Sequence, residues 1–331
     1  MQHFTGLHDL GPEGLERILD LCLQWKRNGR QPGRHLQQKL LGMVFFNPSL
    51  RTRTSFEAAM LRGGGHAIVL EVGAGVWKLE DRDGVVMDGD RAEHLKEAVP
   101  VLSRYVDALA VRSFAAGGDD DADAADALMT AFRDLSTVPV LSMEGAREHP
   151  CQGLADLLTV REAFGRTQGV EVTLSWAPHI KPLPKAVPHS FLLSAAAAGC
   201  KVRVAHPPGF DLHPGVVAQA QAYAQATGGS LDFTHDQDAA LRDSQVLCAK
   251  AWGPATSAGL DTSALRQEAW MPDTRHLDLL DPEGIFLHCL PVRRNLEVAD
   301  AVLDSPRSRV VPEAENRFHV QRALLHELLG A

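Results

Sequence analysis

A chain of 331 residues, 45% of them hydrophobic, can bury a large core and exceeds the size at which single cores divide, so two domains are expected. Its formal charge of -9 excludes a general nucleic-acid binder, and no stretch offers the ~18 uncharged apolar residues of a membrane span. Five irregularly spaced cysteines give neither a disulfide framework nor a paired Cys-x-x-Cys metal site, and residues 1–6 lack the basic-then-apolar start of a signal peptide; a reduced, cytoplasmic protein is expected.

In chain order, residues 13–26 carry a helical spacing and 43–46 read as a first strand. A helix at 55–62 follows, then Gly63-Gly64-Gly65 and a strand at 66–70. Residues 73–90 form a long Gly- and Asp-rich loop with an isolated Trp77, and a loop of that length in a compact domain is more often functional than incidental. A helix at 93–105 and a strand at 108–112 precede residues 117–127, whose Asp run at 119–121 reads as a solvated loop. A helix at 125–135 and a strand at 139–143 complete the first half. In the second half, strands fall at 172–177, 201–206, 245–250 and 285–290, with helices at 190–198 and 319–329. This alternation predicts an α/β fold of two similar-sized α/β domains, each a parallel four-stranded sheet flanked by helices. The boundary is expected within 144–152, giving domains 1–146 and 147–310 and a C-terminal segment, 311–331, that returns to the first. A nucleotide-binding oxidoreductase alternates in the same way, but no Gly-x-Gly-x-x-Gly follows the first strand here.

The first strand runs into Asn47-Pro48-Ser49-Leu50-Arg51-Thr52-Arg53-Thr54-Ser55-Phe56-Glu57. A strand, a Pro turn and hydroxyl caps ahead of a helix leave backbone N–H groups free at a helix N-terminus, which binds anions. Ser49, Thr52 and Thr54 add hydroxyl donors, and Arg51 and Arg53 offer forked, charge-assisted bonds to phosphate. The same residues also suit a capped helix with surface arginines, and the chemistry alone leaves both open.

Ser-x-Arg-Thr-Arg-Thr-Ser-Phe-Glu resembles the carbamoyl-phosphate motif of the aspartate and ornithine carbamoyltransferases. His149-Pro150-Cys151-Gln152 is similar to that family's His-Pro-x-Gln, and His288-Cys289-Leu290-Pro291 to its ornithine-type His-Cys-Leu-Pro. The three stand in the family's order and the resemblance covers essentially the whole chain. It implies that the Ser49-Leu50-Arg51-Thr52 turn grips the phosphate, that Arg112 bridges phosphate and carbonyl oxygen, and that His149 donates to that oxygen. Gln152 would accept from the carbamoyl NH2, Cys289 would lie beside the attacking amine with Leu290 offering its carbonyl, and Arg317 would complete the site. Read without the family, His149 is a histidine at a helix start and Cys289 a buried thiol or a nucleophile. The resemblance further implies a homotrimer with shared sites, in which Trp77 reaches a neighbour's carbamoyl phosphate, and a reaction needing no metal or redox cofactor.

For the acceptor, ornithine enzymes carry Asp-x-x-x-Ser-Met-Gly after a late strand, whereas this chain reads Leu247-Cys248-Ala249-Lys250-Ala251-Trp252-Gly253. A lysine in place of the acid would repel an α-ammonium, which argues against free ornithine. The chain is more similar to the N-acylornithine branch, in which Glu144 would bind the acylornithine. Acetyl-type enzymes tend to have Glu at the place of Ala92 and succinyl-type ones Pro. Ala92 removes a charge that would oppose a succinyl carboxylate, and Lys181 and Lys250 could pair with it, so the balance tips to N-succinylornithine over N-acetylornithine. Glu297 stands where acetyl-type relatives have a modifiable lysine; it is either a built-in negative end that orients Arg293 or Arg294, or an ordinary surface glutamate. A non-catalytic carbamoyl-phosphate-binding paralogue remains the alternative from another functional class.

Overall fold

The computed structural model describes residues 2–27, 33–255 and 261–330. The first half runs α1 (Gly11–Arg27), β1 (Leu40–Phe45), α2 (Leu50–Arg62), β2 (His66–Glu71), β3 (Lys78–Glu80), β4 (Arg91–His94), α3 (Leu95–Leu102), β5 (Ala108–Arg112), α4 (Asp120–Ala125), α5 (Ala127–Leu135) and β6 (Val140–Glu144). The second runs α6 (Pro150–Phe164), β7 (Glu171–Trp176), α7 (Ala186–Ala197), β8 (Lys201–Ala205), α8 (Pro214–Thr227), β9 (Ser230–Thr234), α9 (Gln237–Leu241), β10 (Val246–Lys250), α10 (Thr274–Leu279), β11 (Ile285–Leu287), α11 (Asp300–Leu303) and α12 (Val310–Leu329). Among the described residues, no helix is long and apolar enough to cross a membrane.

Two parallel sheets organise these elements, in the orders β2-β1-β5-β6 and β11-β10-β7-β8-β9. Their inner strands are buried from end to end, as in β5 and β10, because helices cover both faces of a parallel sheet. In the first sheet the order reverses between β1 and β5, and in the second between β7 and β10. Such a switch point opens a crevice beyond the strand C-termini, where open α/β sheets bind ligands. The register places Phe45, Arg112 and Glu144 side by side at that edge of the first sheet. In the second, Trp176 and Lys250 lie abreast. The last helix, α12, packs against α6, α2 and α1, so the C-terminus returns to the first half as expected.

Several sequence expectations shift. The helix expected from residue 55 begins at Leu50, because Ser49 caps it: its Oγ accepts from the Thr52 backbone N–H at 3.1 Å. The second sheet has a fifth strand, β9, whose half-exposed Ser-Leu-Asp-Phe-Thr lacks the apolar run of an inner strand. The 73–90 loop contributes β3 to a small two-stranded ladder with β4. Residues 120–125 form a helix instead of a solvated loop. Asp119 caps it, Asp120 pairs with Lys185, and Asp121 meets the His213 ring at 2.9 Å, so the acidic run ties the first half to the second.

Candidate active site

Both switch points open onto one cavity of about 520 Å³. Its first wall is the N-terminal turn of α2. Thr52 is fully buried there, and its hydroxyl accepts from Arg317 Nη2 at 2.6 Å and Arg112 Nη1 at 3.3 Å. A hydroxyl between two guanidiniums at a helix N-terminus is an anion cradle, since helix dipole and cations point at one spot. Arg51 donates from Nη2 to the Leu290 carbonyl, bridging the first half to the second. The plainer reading of this motif holds for its other members. Arg53 faces out and pairs with Glu71 at 2.7 Å, Thr54 donates back to the Leu50 carbonyl at 2.8 Å, and the Leu50 side chain is 80% exposed.

Arg112 and Glu144, abreast in the register, form a buried ion pair, and the Arg112 guanidinium lies 4.6 Å from the centre of the Phe114 ring. Burial raises the Glu144 pKa against the pull of Arg112, Arg317 and Lys250. His149 heads α6 as its N-cap, with Pro150 at the first helical position, and its backbone N–H donates to Ser190 Oγ at 2.7 Å. Its Nε2 lies 3.5 Å from Glu144. Burial, reinforced by Arg317, Arg112 and Arg51, holds the ring well below its ordinary pKa, so it is neutral near pH 7. A neutral imidazole can present one N–H to a carbonyl oxygen without competing with the arginines for charge. One turn into α6, Gln152 Nε2 donates to Asp156 at 2.7 Å and to Glu313 at 3.0 Å.

The second half supplies the opposite wall. Lys250, at the end of β10, is 8% exposed, and its ammonium has no hydrogen-bond or ion-pair partner among the described residues. Lys181 stands at the exposed mouth. His179 and Arg293, named only within resembling segments at the sequence level, form a linked pair: Arg293 Nε donates to His179 Nε2 at 3.2 Å. That bond leaves the neutral ring its proton on Nδ1, which donates to the Lys181 carbonyl at 2.9 Å. Glu297 is no surface residue. It is 2% exposed, accepts from the Arg293 backbone N–H at 2.6 Å, and lies 3.9 Å from His288 Nε2. It therefore fixes the Arg293 backbone, while Arg294 turns away to Asp300 and Asp304. Leu183, Val187 and Pro291 line an apolar patch on this side, and Phe114, with no polar signature, had no signal in the sequence.

Three expected residues are not in the cavity of their own chain. The Leu50 side chain points to solvent. Trp77 is 60% exposed and its indole N–H donates to Glu93 at 2.8 Å, while the exposed Ala92 lies on β4 beside it. Trp77 and Ala92 share the small β3–β4 ladder, which projects away from the site.

Cys289 does line the cavity, but burial pushes its thiol up to about 12. A thiol held protonated is a poor nucleophile. Cys289→Ala is expected to keep kcat within about 10-fold of wild type, whereas removing a covalent nucleophile costs ~10^6. A steady-state assay showing a loss above about 10^3 would return the thiol to the reaction.

In sum of charge, six cations (Arg51, Arg112, Lys181, Lys250, Arg293, Arg317) face two carboxylates, Glu144 and Glu297, across the cavity. An excess of four positive charges in an acidic protein suits a multiply anionic set of ligands. Residues 2–162 match the carbamoyl-P binding domain described for the aspartate/ornithine carbamoyltransferases, and residues 184–328 match their Asp/Orn binding domain. The N-acetylornithine carbamoyltransferase of Xanthomonas campestris pv. campestris is 40% identical over 337 residues, covering 100% of this chain and 98% of its own length. The N-succinylornithine carbamoyltransferase of Bacteroides thetaiotaomicron is 38% identical over 329 residues, covering 99% of each. A crystal structure of an N-acetyl-L-ornithine transcarbamylase variant, one glutamate changed to alanine, complexed with carbamyl phosphate and N-succinyl-L-norvaline, superposes with a TM-score of 0.95. It is 39% identical and covers 99% of this chain and 100% of its own.

Proposed function

The chain belongs to the aspartate/ornithine carbamoyltransferase family, and from that premise we propose that it carries the carbamoyl group of carbamoyl phosphate to the δ-amine of an N2-acyl-L-ornithine. The products are an N-acyl-L-citrulline and phosphate, on a route to arginine. What carries the reading is one cavity that joins the Thr52–Arg112–Arg317 anion cradle to the unpaired ammonium of Lys250.

Phosphate sits at the α2 N-terminus against Ser49, Arg51, Thr52 and Arg317. Arg112 reaches both phosphate and carbonyl oxygen, and neutral His149 donates its N–H to that oxygen. As the amine nitrogen bonds to the carbonyl carbon, negative charge grows on the oxygen, and these donors are already in place to stabilise it. The carbon–oxygen bond to phosphate then breaks, phosphate leaves with the bonding pair, and the former amine sheds a proton. Holding two substrates side by side supplies much of the remaining acceleration. On the acceptor side, Glu144 and Lys250 bind the acylornithine, and Leu183, Val187 and Pro291 receive its acyl chain.

Of the two acyl groups, we favour succinyl. Ala92 stands where acetyl-type relatives carry glutamate, and the glutamate-to-alanine variant crystallised with N-succinyl-L-norvaline supports a succinyl group beside an alanine. Because Ala92 and Trp77 lie outside their own cavity, both act here through a neighbouring subunit of a cytoplasmic homotrimer. Trp77→Ala is then expected to weaken carbamoyl phosphate binding at least ~10-fold without dissolving the trimer. Calorimetry together with light scattering checks it, and unchanged affinity would remove Trp77 from the site. The function itself is tested by supplying carbamoyl phosphate with ornithine, N-acetylornithine or N-succinylornithine in parallel and quantifying ureido product. Product from free ornithine alone, or from none of the three, would overturn it.

A further inference from the structure

Behind the cavity wall sit two carboxyl groups that touch no proposed substrate. Asp156 on α6 and Glu313 on α12 are each 1% exposed and hydrogen-bond to one another. Burial raises both, and the charge of Asp156 raises Glu313 further, so the pair holds one proton, carried by Glu313. Both also meet Gln152. Its Nε2 donates to Asp156 Oδ1 at 2.7 Å and to Glu313 Oε1 at 3.0 Å, while Glu313 Oε2 accepts from the His288 backbone N–H at 2.8 Å.

A complete donor count fixes the polarity of this amide. A primary amide has two N–H bonds and one carbonyl oxygen. Both N–H bonds of Gln152 are spent on carboxyl oxygens, and the single shared proton lies between the two carboxyls. Everything facing the back of Gln152 is therefore an acceptor. Turning the amide over would set its oxygen against lone pairs in a buried place, which is costly. The side of Gln152 that lines the cavity can then be only its carbonyl oxygen.

We propose that the Asp156–Glu313 pair is a positioning device that locks the Gln152 carbonyl oxygen toward the cavity, so that the site selects a phosphate substrate bearing an N–H donor on its carbonyl carbon over isosteres without one. The inference rests on the carbamoyl-transfer reading and adds to it the two residues that enforce the choice. Asp156 and Glu313 act through Gln152, and neither touches the reacting atoms. Glu313 also ties α12 to the backbone at His288, so one side chain sets both the amide polarity and the start of the loop that carries Cys289 and Leu290.

Acetyl phosphate, which has a methyl in place of the carbamoyl NH2, is the probe. Affinities for carbamoyl phosphate, acetyl phosphate and inorganic phosphate would be measured in wild type, Asp156→Ala, Asp156→Asn and Glu313→Gln. Wild type is expected to prefer carbamoyl over acetyl phosphate on the order of 100-fold, because a site built around a hydrogen bond rejects the analogue that lacks it. Asp156→Ala and the isosteric Glu313→Gln should cut that preference below ~10-fold while inorganic phosphate affinity stays within ~3-fold. Gln at 313 cannot accept from both Gln152 and the His288 N–H. In Asp156→Asn the side-chain oxygen still accepts from Gln152 while its NH2 donates to Glu313, so most of the preference should return. General damage to the site would weaken all three ligands together and leave the ratio alone. A wild type without preference, or Glu313→Gln with the wild-type ratio, would overturn the inference. Wild-type turnover with acylornithines is a separate arm: its absence sinks the carbamoyl-transfer reading, while the affinity ratio still decides the role of the pair.

Discussion

Arg112→Ala is expected to lower kcat/KM by about 10^3, near the cost of removing one preset donor from a developing oxyanion. Two effects could produce such a loss, and they can be told apart. Arg112 contributes a cation between Thr52 Oγ1 and the carbonyl oxygen of the substrate, and it also neutralises the buried Glu144. Without Arg112, Glu144 keeps only the more distant charges of Arg317 and Lys250 and becomes easier to protonate. An orphaned buried carboxylate can cost about 3–5 kcal/mol, enough to mimic a catalytic defect. The double variant Arg112→Ala with Glu144→Gln separates them: the orphaned charge is gone, yet the oxyanion donor is still missing. If rate loss comes from the transition state, the double variant stays down by at least 10^3; if it recovers, the orphaned charge was the cause. Arg112→Lys keeps the charge but loses the fork and the contact with Phe114, so a loss nearer 10^2 is expected. Steady-state kinetics with carbamoyl phosphate varied would check all three. A single variant within 10-fold of wild type would remove Arg112 from the mechanism.

The local parts of this site were legible in the sequence and the convergent parts were not. Ser49 could be read as a helix cap because strand, turn and hydroxyl are contiguous, although the start of α2 at Leu50 could not, since Arg-Thr-Arg-Thr looks as much like a loop as a first turn. Strand β5 was read to the residue because both of its faces are buried and its apolar run is unbroken. Strand β9 was missed for the opposite reason: at the sheet edge it needs no such run. Helix α6 gave no periodic signal because residues 150–160 are buried on every side, packed between α7, α12 and α1. His179 and Arg293 are 114 residues apart, and their hydrogen bond exists only because loops after different strands open onto one crevice. The polarity of Gln152 depends on Glu313, 161 residues on, and no spacing rule reaches that far.

Free ornithine is expected to be turned over with a kcat/KM about 10^3 below that of N-acylornithines, and Lys250 is the reason. Two unit positive charges at ~4 Å with an effective dielectric near 20 repel by about 4 kcal/mol, close to three decades in rate or affinity. Acylation removes the α-ammonium charge, and the Lys250 ammonium then meets an acyl oxygen or carboxylate instead. Lys250→Met should therefore act in opposite directions on the two substrates. Free ornithine should gain up to about 10^2, while N-acylornithines lose a comparable factor through the missing charge-assisted bond. Such a crossing is not produced by misfolding, which lowers both. The finer choice of acyl group has a smaller scale. Lys181 is exposed at the cavity mouth, and an ion pair there with a succinyl carboxylate contributes at most about 1 kcal/mol, roughly fivefold. The acylated state of the nitrogen should thus be selected far more strongly than the identity of the acyl group. Comparing kcat/KM for ornithine, N-acetylornithine and N-succinylornithine in wild type and Lys250→Met checks both scales. Equal use of free ornithine by wild type, or parallel losses in the variant, would move the acceptor specificity away from Lys250.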